Sequence, residues 1–281
     1  TATTKGSTGY DLTRLLIGSE GTLAIVTEAT LKLAPLASAK RTLRATYVDV
    51  AAAAHAVARV MAQPVTPCAL EFLDDQCLAL ARTHGGDAVP IAGAMLIIEV
   101  DGEPDTLAPA VDAVSRAARG EGLVELQVAT DETDVARLWA ARKALSPALR
   151  TLSPNKINED VVVPVSRVPD LVATSRALAA KYALPIVCFG HAGNGNLHVN
   201  LLPRDDAEHV RAQHALDELF DAVIRLGGTL SGEHGIGIAK RAYMPRAVDA
   251  SALALMRAIK RQFDPDGILN PGKLLPDETS R

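Results

Sequence analysis

Gly190-His191-Ala192-Gly193-Asn194-Gly195-Asn196-Leu197-His198 is the stretch from which the chain is best read. An apolar run, Pro185–Phe189, leads into it, and Leu197–Leu202 leads out. Both flanks carry strand signals, and the Asn/Gly block between them is turn chemistry. The outgoing strand alternates. That places His198 and Asn200 on one face and Leu197, Val199 and Leu201 on the other. His191, at the mouth of the turn, can reach the His198 face. Two imidazoles brought together suit zinc, manganese or iron. The plainer alternative is a pair of hydrogen-bonded histidines beside a turn.

A second glycine-rich stretch, Gly227-Gly228-Thr229-Leu230-Ser231-Gly232-Glu233-His234-Gly235-Ile236-Gly237, follows a long helix pattern. Adjacent side chains in extended backbone point opposite ways. Glu233 could therefore ligate a metal while His234 faces a substrate. The alternative is a surface loop with incidental charges.

Composition narrows the classes. The chain has 281 residues, 48% of them hydrophobic, with a net charge of −4. That balance gives no basic surface to argue nucleic-acid binding from, and 3% aromatics leave few base-stacking platforms. No apolar run approaches the ~20 residues that span a bilayer. Cys68, Cys77 and Cys188 are an odd set without metal-ligand spacing and read as buried thiols of a reducing compartment.

Outside the two glycine-rich stretches, Leu23–Leu33 is predicted to be a strand, from its apolar and β-branched residues and the alternation Thr30-Leu31-Lys32-Leu33. A boundary follows at Pro35–Ala39. Strand signals then recur at Thr42–Val48, Ala69–Leu73, Ala94–Val100, Leu123–Val128 and Asp160–Val163. Helix signals fall at Val50–Ala62, Asp74–Thr83, Asp105–Gly120, Asp131–Leu149, Val168–Lys181, Asp206–Leu226 and Asp249–Phe263. Several begin with Asp, as N-caps do. Gly120 and Gly227 stand where helix ends favour positive φ. The rhythm fits either a doubly wound parallel sheet or a split β-α-β arrangement with helices on one face of an antiparallel sheet. No G-x-G-x-x-G opens a helix after a strand, which argues against a nicotinamide site.

In the helix 131–149, Arg142 and Ser146 share a face at i, i+4, and Arg142 lies three residues from Trp139. An Arg fork suits a carboxylate. Lys156 leads into the apolar strand after it. Phe263-Asp264-Pro265-Asp266-Gly267-Ile268-Leu269-Asn270-Pro271-Gly272-Lys273 is a helix stop followed by turns.

Taken together, Gly18–Ala34, Gly190–Val199, Ser231–Ile236 and Phe263–Lys273 resemble the FAD-linked oxidases of the vanillyl-alcohol oxidase superfamily, on the branch of the D-2-hydroxyacid dehydrogenases. The resemblance implies an α+β fold, a ferredoxin-like antiparallel sheet with helices. It implies that residues 1–35 are the tail of an FAD-binding domain and that 36–281 are the substrate and cap domain with a flavin-facing C-terminal segment. It implies His191, His198 and Glu233 as ligands of a divalent metal, Zn or Mn, and His234 as general base. Arg142, Lys156, Asn200 and Ser146 would hold the substrate. Glu20, Gly21, Thr22, Leu23, Ala24, Ile25 and Val26 would line FAD through backbone groups, and Asn270 would approach the flavin ring. Ala24 stands where the family usually has glycine.

The activity implied is oxidation of a D-2-hydroxy acid, lactate-like, to a 2-oxo acid. Cytochrome c, a quinone or an electron-transfer flavoprotein would reoxidise the flavin. A homodimer and a cytoplasmic location, with peripheral membrane attachment as the alternative, complete the expectation. With most of the FAD domain outside these residues, the chain alone is expected to bind FAD weakly and to be inactive. Two other classes compete: a non-catalytic interaction module, and a metal-dependent hydrolase using the same His/His/Glu set.

Overall fold

The computed structural model describes residue 3 and residues 5–277, apart from the side chains of His84, Gly85 and Ser146. The chain divides into two compact units. A sheet unit spans Ala37–Thr229, and a terminal unit combines Thr1–Leu36 with Leu230–Arg281.

The sheet unit runs β1 (Ala39–Tyr47), α2 (Val50–Ala62), β2 (Ala69–Asp74), α3 (Asp75–Gly85), β3 (Ala94–Gly102), α4 (Pro104–Ala118) and β4 (Leu123–Val128). It continues with α5 (Glu132–Leu152), β5 (Ile157–Val162), α6 (Val168–Tyr182), β6 (Ile186–His191), β7 (Asn196–Leu201) and α7 (Asp206–Arg225). The terminal unit holds α1 (Leu12–Leu16), α8 (Met244–Ala247) and α9 (Ala250–Phe263). Asp side chains accept the first-turn amides of six helices: Asp11 for α1, Asp49 for α2, Asp74 for α3, Asp131 for α5, Asp205 for α7 and Asp249 for α9. Each satisfies an amide that has no partner inside its helix.

The strands form one seven-stranded sheet in the order β4-β1-β3-β2-β6-β7-β5. Every pairing is antiparallel, so the α+β alternative holds and the parallel one does not. Helices cover both faces. Under one face, Leu73, Met95, Ile97, Val187 and Phe189 pack with Cys77, Leu78 and Ala81 of α3 and Ala141, Leu145 and Leu149 of α5. The other face presents Leu43, Tyr47, Phe72, Leu96 and Ile98, all fully buried. On that side the Tyr47 hydroxyl donates to the α4 carbonyl of Ala118 at 2.8 Å. Each such large apolar side chain contributes ~1.5–3 kcal/mol on burial.

Three expectations need correction. Cys77 and Cys188 are buried thiols as expected, but Cys68 is exposed, just ahead of β2 rather than inside it. Residues 23–33 form no strand: the segment has no ladder partner among the described residues, and Ile25, Val26, Leu31 and Leu33 are exposed. The alternation is present, but a strand exists only when a neighbour takes its amides and carbonyls. The left-handed residue after α4 is Gly122 (φ 78°) rather than Gly120, whereas Gly227 (φ 77°) ends α7 as expected.

Candidate active site

The site begins with a register. Cross-strand partners in an antiparallel sheet share a face. Glu71 of β2 lies opposite His191 of β6. Phe189 lies opposite His198 of β7, which in turn lies opposite Asp160 of β5. Asn200 lies opposite Asn158. The α5-covered face of the sheet therefore carries a row of polar side chains at its β2-β6-β7-β5 end. His198 and Asn200 share this face, and Leu197, Val199 and Leu201 are buried on the other, as the alternation predicts.

His191 is half-exposed at the end of β6, and His198 is buried. Their rings meet edge-on with centroids 5.7 Å apart. The turn between them needs glycine. Gly195 has φ 71°, and a Cβ there would sit 1.9 Å from the Val163 carbonyl oxygen. His191 Nδ1 is hydrogen-bonded to Oε1 of Glu71, a carboxylate only 4% exposed. A carboxylate behind one ring nitrogen is the usual support of a metal-binding histidine, since it leaves the other nitrogen as the lone-pair donor. The histidine pair thus fits a divalent metal.

Arg142 reaches the same carboxylate from α5: its Nε donates to Glu71 Oε2 at 2.8 Å. Its guanidinium carbon lies 4.9 Å from the centre of the Phe189 ring. Among the described residues its two terminal nitrogens have no partner. Lys156 donates from Nζ to the fully buried Asn200 Oδ1 at 2.8 Å. Burial, and secondarily the charge of Arg150, lowers the Lys156 pKa below the usual lysine value. Asn158 has a buried Oδ1 without a hydrogen-bond partner among the described residues. Of the residues expected on the substrate, Arg142, Lys156 and Asn200 share this face; the side chain of Ser146 lies outside those described.

Glu233 and His234 belong to the terminal unit, where both are exposed on a loop without regular structure. The loop is tied down at its far end. Amides of Ile236 and Gly237 each donate to the Glu20 carboxylate at 2.7 Å. Glu20 itself is left-handed (φ 54°), and its carbonyl accepts from Asn270 Nδ2. Lys260 Nζ donates to the carbonyls of Thr22 at 2.7 Å and Leu269 at 2.8 Å. Glu20, Thr22 and Asn270 are thus engaged within the unit. Leu23–Val26 differ: their backbone makes no hydrogen bond among the described residues, and Ile25 and Val26 are exposed. Open backbone amides beside exposed apolar side chains fit the border of a large amphiphilic cofactor such as FAD.

Sequence reading missed Glu71. The signal was there, a single carboxylate inside the apolar run Ala69-Leu70-Glu71-Phe72-Leu73, because a charged residue is almost never fully buried unless paired. It also missed Glu99 of β3, which accepts from Trp139 Nε1 at 3.0 Å, Thr42 Oγ1 at 2.8 Å and Lys40 Nζ at 2.9 Å. Burial pushes the Glu99 carboxyl up, but these hydrogen bonds outweigh it and its pKa is lowered. The lone tryptophan is therefore a packing partner of the sheet.

The pattern of the FAD linked oxidases, C-terminal domain, matches residues 36–274. Glycolate oxidase subunit GlcD of Bacillus subtilis (strain 168) is 39% identical over 280 residues, covering 99% of this chain and 60% of that protein. A D-2-hydroxyglutarate dehydrogenase of Xanthomonas citri pv. viticola is 35% identical over 284 residues, covering 97% and 59%. Among solved structures, p-cresol methylhydroxylase with substrate bound aligns with a TM-score of 0.65 over 86% of this chain and 54% of that one. Its 15% identity makes this a likeness of fold. The chain spans about 60% of the length of the two relatives. With a family match over most of its residues, this chain belongs to the FAD linked oxidases, as their C-terminal domain.

Proposed function

We propose that the protein carrying this chain oxidises a D-2-hydroxy acid of lactate-like size to a 2-oxo acid. One observation carries the reading: the polar sheet face holds two histidines, the first backed by a buried carboxylate, together with an arginine and a lysine. That is a metal-type donor pair beside cations suited to a carboxylate. The two relatives, named for glycolate and D-2-hydroxyglutarate, support a 2-hydroxy acid. When bound, FAD supplies the hydride acceptor, and a divalent metal, Zn or Mn, supplies Lewis acidity at the α-hydroxyl.

The chain's residues do the rest. His191 and His198 would hold the metal, with Glu233 as third ligand. The terminal nitrogens of Arg142 clamp the substrate carboxylate, and Lys156, steadied by Asn200, neutralises it. Ser146 assists. His234 takes the hydroxyl proton as a neutral imidazole. Leu23–Val26 would border FAD with Gly21, and Glu20, Thr22 and Asn270 would shape that edge. Cytochrome c, a quinone or an electron-transfer flavoprotein takes the electrons onward.

The test is a panel of D-lactate, L-lactate, glycolate and D-2-hydroxyglutarate. It uses a dye acceptor and the FAD-loaded protein that carries this chain. Turnover is expected with D-lactate, little with L-lactate, and a loss of roughly a hundredfold or more for His234→Ala, the range of a general base. Equal turnover of both lactate enantiomers, or full activity in His234→Ala, would overturn the reading.

A further inference from the structure

Glu71 touches two groups of different purpose. One carboxylate oxygen meets His191 Nδ1 and the other accepts from Arg142 Nε at 2.8 Å. We infer that Glu71 is a positioning residue that sets the tautomer of His191 and, in the same contact, the orientation of the Arg142 fork. The inference rests on the proposed reading for its purpose, since it assigns a support to the proposed metal and substrate contacts, but its geometry stands without a metal.

The chemistry is a matter of donors and acceptors. An ionised carboxylate can only accept, so the neutral His191 ring must carry its proton on Nδ1 and keep the Nε2 lone pair for a metal. Arg142 can only donate. Its guanidinium is further held over the Phe189 ring, at 4.9 Å, and that ring lies 5.3 Å from His198. A single buried side chain thus couples the metal-side histidine to the carboxylate-side arginine. The two contacts lie 120 and 71 residues from Glu71 along the chain.

This arrangement makes the isosteric variant Glu71→Gln informative. A glutamine has one acceptor oxygen and one donor amide. Arg142 cannot become an acceptor, so the oxygen turns to Arg142 and the amide NH2 turns to His191. His191 can adapt, and its proton moves to Nε2, which closes that nitrogen to metal. Removing the arginine as well frees the glutamine oxygen to face His191 again.

The experiment reads the His191 ring by nitrogen-15 NMR on the full chain at alkaline pH without metal, for wild type, Glu71→Gln and the double variant Glu71→Gln/Arg142→Met. The expected result is Nδ1–H in wild type, Nε2–H in Glu71→Gln, and Nδ1–H again in the double variant. Calorimetric titration with Zn(II) alone should show an affinity about 10–100-fold weaker in Glu71→Gln, the usual range for losing such a support, and recovering in the double variant. A purely structural role would not reverse on adding a second substitution. An Nε2–H wild type, or a Glu71→Gln ring unchanged from wild type, overturns the inference. A wild type that takes up no zinc overturns the metal reading, and the tautomers still decide the role of Glu71.

Discussion

The two units are held together by different physics. In the sheet unit Tyr47, Phe72, Phe220 and Ile97 are fully buried, and both sheet faces are covered by helices. The terminal unit buries Leu23, Leu230, Met244 and Leu253, but alongside them Ser19, Thr22, Lys240 and Asp264. Its two chain segments are joined by named polar contacts. Glu20 holds the amides of Ile236 and Gly237, and Lys260 holds the carbonyls of Thr22 and Leu269 and the carboxylate of Asp264. A unit built on apolar area tolerates the loss of any one polar contact. A unit built on a few charge-assisted hydrogen bonds depends on each of them.

Phe72→Ala should show the largest effect. It removes a fully buried ring beneath the sheet and is expected to cost about 3–5 kcal/mol in urea unfolding. A loss below about 1 kcal/mol, the size of an average substitution, would deny that area holds this unit. Lys260→Met should act locally. Amides of Ser19, Thr22, Gly267, Ile268 and Leu269, which are hydrogen-bonded, are expected to exchange hydrogen roughly tenfold faster or more, the factor carried by a lost charge-assisted hydrogen bond. Exchange in β2 and β7 should not change, and equal acceleration in both units would erase the contrast.

Acid should reach the same contact. The hydrogen bond from Lys260 lowers the Asp264 pKa, burial opposes it, and the amides of Leu269 and Ile268 add to the lowering. A carboxyl depressed in the folded state contributes stability above its unfolded pKa of about 3.9, lost as pH falls through the folded value. Protection at 264–270 is therefore expected to drop below about pH 4 in wild type, and this response should be weak in Lys260→Met. Persistence of the full response in that variant would assign it to another carboxyl. The smallest effect is expected at Ile25→Ser, an exposed position, within about 0.5 kcal/mol. A larger loss would mean that the segment 23–33 carries packing of its own.

What could be read from the chain follows the same division. Local rules found the helix caps at Asp74, Asp131 and Asp249, because a cap is settled within three residues. The alternation of β7 put His198 and Asn200 on one face for the same reason. The period-2 pattern of 30–33 misled, since alternation states what a strand would bury but not whether a partner strand exists. Glu71 was out of reach because its meaning lies in register: only the pairing of β2 with β6 sets it against His191. The tie of Glu20 to Ile236 and Gly237 spans more than two hundred residues and has no local pattern at all.

The proposed chemistry depends on the histidine pair of the sheet face as a metal site. Elemental analysis tests it most directly, on wild-type protein and His198→Ala after equal exposure to Zn(II) and Mn(II) and removal of the excess. Close to one divalent ion is expected per wild-type chain and a small fraction of that in His198→Ala, with the fold retained by circular dichroism. Equal metal content in the two proteins, or none in wild type, would contradict it.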